Sequence, residues 1–263
     1  MDCGIFVYYG RGIKLSRVLE ILYEMQRHKY PDEKSPLGGH GAGIFWIDSS
    51  GEHLVKAGAS SGDPVERLAR SIADTRAVLV LGHVRRTSRR FRETIAHDWG
   101  AHPFSCNCLD GVKAYAVHNG FVRNFAEIFE RLRGFHAFES LHGEGNGRIV
   151  DSEVIPHLLS EDVERLGVQE GCSRAVEEIE GNNTIAAYLE SREGRYLLLA
   201  HRGLTRGLYV FWGRGELVAS SRLEPLGDLV EDLDSLVSIP RRTVLRGSGI
   251  SPEFTLLLRV GEF

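Results

Sequence analysis

The sequence predicts an α+β fold of many antiparallel strands with helices on the sheet faces. Three observations carry this. Short apolar runs recur between glycine turns, and they crowd the part of the chain after Asn183. Helical periodicity is confined to five segments, which do not alternate regularly with the strands. No Pro- or Ser-rich linker and no internal repeat divides the 263 residues, so 1–263 reads as a single domain. Two stacked sheets between helical layers would accommodate so many strands.

The elements follow in order. Cys3-Gly-Ile-Phe-Val-Tyr-Tyr is an apolar and aromatic run, read as a buried strand that ends at a Gly10–Gly12 turn. Leu15, Val18, Leu19, Leu22 and Met25 share one helical face, which predicts a helix over 15–28. Gly41 to Asp48 reads as a strand, Asp48-Ser-Ser-Gly51 as a turn and 53–58 as the hairpin partner. A helix is expected over 62–74, with Pro64 near its start. Ala77 to Val84 is continuously apolar and reads as a strand covered on both faces.

Residues 86–110 show no period and read as a long functional loop. A strand over 112–117 and a helix over 122–132 follow, and then a Gly-rich segment at 143–147. Asp151-Ser-Glu153 is placed to cap a helix running to about Ser160, and a second helix is expected over 171–180. Strands are then expected over 184–190, 195–201, 207–211, 216–220, 242–246 and 253–260.

Composition narrows the function. Apolar residues are 42% and charged residues 26%, which are globular proportions. A net charge of −4 gives no argument for a nucleic-acid partner. No run of 18 uncharged apolar residues suits a membrane span, and no signal peptide is recognisable, so a cytoplasmic protein is expected. The cysteines are Cys3, Cys106, Cys108 and Cys172, too few for a disulfide framework at this length. Cys106-Asn-Cys108 has no second C-x-x-C to complete a zinc site and reads as plain thiols in a loop. Neither a metal nor a cofactor is expected.

Cys3 is the informative cysteine. If Met1 and Asp2 are removed, its own α-amine can act as base for its own thiol. Taken alone, it is equally a small residue of a buried strand. His118-Asn119-Gly120 directly follows a strand, and an Asn amide with a Gly N–H offers two donors to one oxygen, although Asn-Gly is also a common turn. Arg85 closes the 77–84 strand, where a guanidinium could hold a carboxylate, and Asp151 opens a helix, where a carboxylate could hold an ammonium. Singly, these are also a surface charge and an N-cap.

Six short motifs occur in order: Cys3-Gly-Ile-Phe, Gly41-Ala-Gly-Ile, Gly82-His-Val-Arg85, Ala101-His-Pro-Phe104, His118-Asn-Gly120 with Asn124 nearby, and Asp151-Ser-Glu-Val154. With Ala219-Ser-Ser221 later in the chain, this pattern resembles the class II glutamine amidotransferases, members of the N-terminal-nucleophile (Ntn) hydrolases. The resemblance implies the αββα four-layer sandwich. It implies Cys3 as the nucleophile, its free amine as the proton shuttle, and Asn119 with the Gly120 N–H as the oxyanion hole. Arg85 would bind the glutamine carboxylate and Asp151 its ammonium. Ser88 would add a hydrogen bond from a closing loop, and His102 would order the site.

The chain also departs from the family pattern. Asp2 intervenes where Met-Cys is usual, so a two-residue propeptide would have to be cleaved. Arg86 stands in the place of an aromatic residue and Arg90 where Gly is common, and Leu37-Gly-Gly-His-Gly-Ala-Gly43 lacks the family's Arg and Asp. No asparagine-synthetase pyrophosphatase loop, phosphoribosyl-binding run or P-loop is recognisable. The expectation is therefore a glutaminase domain that passes ammonia to a separate synthase subunit. The alternatives are a non-catalytic, regulatory glutamine-binding domain and a hydrolase of another γ-glutamyl amide.

Overall fold

The computed structural model describes residues 3–29, 35 and 36, 38–60, 62–109, 111–142, 149–241 and 252–261. Met1 and Asp2, the whole expected 242–246 strand and the Gly-rich 143–147 segment lie outside them, as does Leu37. Two compact units divide the chain: one takes the described residues of 1–103 and 205–244, the other those of 104–204 and 245–262.

The first unit holds a seven-stranded sheet. Its strands are β1 (Gly4–Lys14), β2 (Gly41–Asp48), β3 (Gly51–Gly58), β4 (Arg76–Val84), β9 (Leu208–Gly213), β10 (Glu216–Ser220) and β11 (Asp234–Ile239). Their order is β11-β9-β10-β1-β4-β2-β3, and every pairing is antiparallel. β1 does not stop at Gly10–Gly12 as expected. It bulges between Tyr9 and Ile13 and continues beside β4, because an irregularity in an antiparallel pair absorbs the extra residues without ending the ladder.

Helix α1 (Leu15–Arg27) packs on β1 and β4, and α2 (Pro64–Ser71) on β2 and β3. Four of the five residues read as the apolar face, Leu15, Val18, Leu22 and Met25, join Ile21, Phe6, Tyr8, Ile44 and Val80 in one core, while Leu19 packs against it partly buried. Asp63 caps α2 by accepting the Val65 and Glu66 N–H groups at 2.9 and 3.2 Å, and Pro64 occupies the first helical turn.

The second unit holds a five-stranded antiparallel sheet, in the order β12-β8-β7-β6-β5. Its strands are β5 (Phe104–Leu109), β6 (Val112–Asn119), β7 (Asn183–Ser191), β8 (Gly194–Arg202) and β12 (Glu253–Val260). Helix α3 (Phe125–Leu132) packs on α4 (Val154–Leu166), which packs on β5, β6 and β7, and α5 (Val168–Glu178) packs on α4. Leu158, Leu159, Ile185 and Leu198 centre this core.

Two expectations need correction. The 86–110 stretch is not one loop: 3-10 turns occupy Arg89–Ala96 and Asp98–Gly100, and β5 follows. Cys106 and Cys108 therefore sit on a strand. Asp151 caps no helix; it lies in a 3-10 turn, Asp151–Glu153, with no side-chain cap bond, and α4 begins at Val154.

Candidate active site

In the first unit the predicted residues converge on the start of β1 and the end of β4. Cys3 directly precedes β1 and is half-buried. Its Sγ accepts the Arg86 N–H at 3.4 Å and lies 3.7 Å from the Arg86 carbonyl oxygen, to which the thiol can donate. Its own carbonyl accepts from Ser221 Oγ at 3.5 Å and from Arg222 Nη2 at 3.4 Å. Ser221 Oγ also accepts the Ile5 N–H at 2.9 Å, so one hydroxyl spans both residues that flank Gly4. The Ala219-Ser-Ser221 segment thus has a physical role, which is to seat the thiol. Arg222, fully buried, extends it.

Arg85 is buried at the end of β4. Its N–H donates to Gly41 O at 2.7 Å and Nη2 to Thr87 Oγ1 at 3.2 Å. Arg86 turns its guanidinium away, donating to Gly38 O at 3.3 Å and to Ser35 Oγ at 2.9 Å. Ser88 is half-buried at the head of the Arg89–Ala96 turn. His102 is buried, with its ring 4.0 Å from that of His83. Gly43 faces the His102 carbonyl so closely that any Cβ there would overlap it.

His40 went unassigned in the sequence, although it lies inside the glycine stretch 38–43. Its Nδ1 accepts the Thr87 N–H at 3.1 Å. Burial first, and then the guanidiniums of Arg86, Arg85 and Arg92, push His40 from its ordinary 6.5 down to about 4. Three arginines that hold an imidazole neutral define a place that favours an anion, such as an amino-acid carboxylate.

The sign of the pH effect follows. Between pH 6.5 and about 4 the unfolded chain protonates His40 while the folded chain does not, so stability falls as pH drops through that window. His40→Asn retains an acceptor for Thr87 and is expected to flatten the slope of unfolding free energy between pH 6.5 and 4.5, measured by denaturant titration. Glu153, which burial raises to about 7, acts with the opposite sign in both proteins and cancels from the comparison.

In the second unit, Asn119 ends β6, buried and paired with Thr184 of β7. His118 bridges Ser152 Oγ through Nδ1 at 2.8 Å and Asn183 Oδ1 through Nε2 at 2.9 Å. Asn183 Oδ1 also accepts the Phe121 N–H at 3.2 Å. A Cβ on Gly120 would come within 2.4 Å of Asn183 Oδ1 and 2.6 Å of Asn182 O, so only glycine fits. Asp151 Oδ2 accepts the Val122 N–H at 3.0 Å, which ties it to the loop after Asn119-Gly120. Asn124 instead braces α3 against the end of α5, through Glu178 O at 2.8 Å and the Glu180 N–H at 3.1 Å.

Each unit therefore assembles its own share of the predicted residues: Cys3, Arg85, Ser88 and His102 in one, Asn119, Gly120 and Asp151 in the other. The supporting roles of His40 and Asn183 were not read from the sequence. A glycine-flanked His and an Asn-Asn pair before a strand were the available signals.

No protein-family model matches the chain. Over 90% of its length it superposes on the glutamine phosphoribosylpyrophosphate amidotransferase of B. subtilis, with a TM-score of 0.62 at 17% identity, covering 45% of that chain. A solved allosteric regulatory enzyme of purine biosynthesis gives 0.64 at 17% identity, with the same coverage of both chains. The chain thus shares a fold with these solved enzymes.

Among curated proteins, the chain is similar to the glutamine–fructose-6-phosphate aminotransferase of Thermococcus kodakarensis, 27% identical over 83% of this chain and 32% of that one. It is also similar to the Pyrococcus horikoshii protein of the same name, 25% identical over 94% of this chain and 35% of that one. The chain spans about a third of the length of these relatives. Among the described residues, no helix is long and apolar enough to cross a membrane.

Proposed function

We propose that this chain is a class II glutaminase domain that hydrolyses the side-chain amide of glutamine through Cys3. The observation that supports this most is the seating of Cys3: its thiol rests on the Arg86 backbone and its carbonyl is held by Ser221 and Arg222. In this reading the α-amine of Cys3 takes the thiol proton as Sγ attacks the amide carbon. Asn119 and the Gly120 N–H stabilise the tetrahedral oxyanion. The C–N bond breaks, the amine returns the proton, and ammonia leaves a γ-glutamyl thioester. Water then cleaves the thioester, releasing glutamate and restoring the thiol.

The mechanism requires Cys3 to be the first residue. Purified, active protein is expected to show an intact mass that begins at Cys3 and to form glutamate and ammonia in equal amounts. Full activity with Met1-Asp2 retained would overturn the reading. Glutamine binding without turnover, with both residues retained, would favour a regulatory domain.

Arg85, beside His40, is proposed to bind the glutamine carboxylate. Losing one charge-assisted hydrogen bond of about 1.5–3 kcal/mol is expected to lower kcat/KM roughly 10- to 150-fold in Arg85→Ala. Arg86→Ala, whose guanidinium is already occupied by Gly38 and Ser35, is expected to lose less than Arg85→Ala. Steady-state kinetics on both variants check the order. The ammonia is proposed to go to a synthase subunit on a separate polypeptide.

A further inference from the structure

Cys106, Cys108, His136 and His157 bring one ligand atom each to within 4.8 Å of one another. All four lie in the second unit, and the glutaminase reading uses none of them. Cys106 and Cys108 are two apart on strand β5, where alternation points both to one face. The β5–β6 register shifts just after Cys106. His157 lies on α4, which packs on that strand, and His136 lies between α3 and α4.

Three of the separations are close to those of a tetrahedral site. Cys106 Sγ lies 3.4 Å from His136 Nδ1, Cys108 Sγ 3.5 Å from His157 Nδ1, and the two Nδ1 atoms 3.2 Å apart. Zinc bonds of about 2.3 Å to sulfur and about 2.05 Å to nitrogen, at tetrahedral angles, place S and N about 3.6 Å apart and the two N atoms about 3.4 Å apart. The outer nitrogen of one ring is also supported: His136 Nε2 faces Glu161 Oε2 at 3.4 Å. A proton on Nε2 fixes the tautomer that leaves Nδ1 as a lone pair facing the thiols. Two imidazole lone pairs 3.2 Å apart are satisfied by a proton or by a cation. A single proton serves only that pair, whereas a divalent cation serves both nitrogens and both thiolates. His136 and His157 are buried and Cys106 is 2% exposed, so three of the four donors are shielded from bulk water, and Cys108 is half-buried.

We propose that Cys106, Cys108, His136 and His157 form a closed Cys2His2 site for a zinc-type divalent transition metal, positioned by Glu161. Four protein ligands leave no open position, so the ion is structural and pins β5 to α4 and to the segment after α3. Binding releases one proton from each thiol and changes no oxidation state.

The proposal does not depend on the glutaminase reading, and its test does not read activity. Reduced full-length protein, reconstituted with zinc and desalted, is expected to carry about one zinc per chain by elemental analysis. Cobalt in place of zinc should give tetrahedral d–d bands with thiolate-to-cobalt charge transfer. Cys108→Ser, at the least buried ligand, should lose the charge-transfer intensity of one thiolate and most of the affinity. Glu161→Gln should keep the tetrahedral spectrum and weaken binding about 10- to 100-fold. Wild-type protein that binds less than about 0.1 zinc per chain, or an octahedral cobalt spectrum, would overturn the site.

Discussion

Replacing Cys3 by alanine is expected to lower kcat for glutamine hydrolysis by more than about 10⁴-fold, because no other group can form the thioester. The fold should survive. The lost side chain is half-buried, and its sulfur's contacts with the Arg86 backbone are long, at 3.4 and 3.7 Å. The midpoint of thermal unfolding should stay within about 3 °C of wild type. A γ-glutamyl affinity label should modify Cys3 alone. Cys172 is buried and its thiol is pushed up to about 12, so almost none is thiolate at neutral pH. Cys106 is buried as well. Labelling at Cys106 or Cys108 with Cys3 untouched would overturn the assignment of the chemistry to Cys3. The measurement is peptide mass mapping after labelling, beside a melting curve.

Asn119→Ala is expected to reduce kcat by about 10²–10³ with little change in KM, since the amide serves the developing oxyanion rather than the ground state. Main-chain pairing of Asn119 with Thr184 holds the position whatever the side chain, so the neighbouring Gly120 N–H keeps its place. Gly120→Ala should behave differently. Its methyl group would collide with Asn183 and Asn182, shift the backbone and lose stability together with rate. A pure kcat loss in the first variant and a combined loss in the second, read by kinetics and denaturant unfolding, would separate donor from scaffold. An equal rise of KM in Asn119→Ala would instead make it a ground-state contact.

The apolar signal served best where an element is well buried, on one face in α1 and on both faces in β2 and β4, which follow it to within a residue or so. It failed where burial is partial. β11 is an edge strand with mostly exposed residues, and Leu236, Val237 and Ile239 show no strict alternation that would mark Asp234–Ile239 as a strand. β5 was hidden because Cys106, Asn107 and Cys108 resemble a polar loop, while Phe104 and Cys106 point inward. Cys3 and the Asn119-Gly120 pair could be singled out as candidates because each lies within a short contiguous motif. The Cys2His2 cluster could not, because its ligands lie 30 and 49 residues apart and no local spacing marks them. Asp151 could be singled out as a candidate from its motif, but its partner, the Val122 N–H, is supplied only by the folded loop.

The grip of Ser221 and Arg222 on Cys3 spans 218 and 219 residues of chain. β1 lies between β4 and β10, so its sheet lacks one flank until β10 exists. At ribosomal speeds of about 5–20 residues per second, Cys3 emerges roughly 10–45 s before the residues that hold its carbonyl. Strand β1 must wait through that interval half-paired, and any chemistry that depends on the seated Cys3 follows the synthesis of Ser221 and Arg222. Synthesis order thus acts as a timer that leaves Cys3 unseated until β10 and the two residues after it have been made.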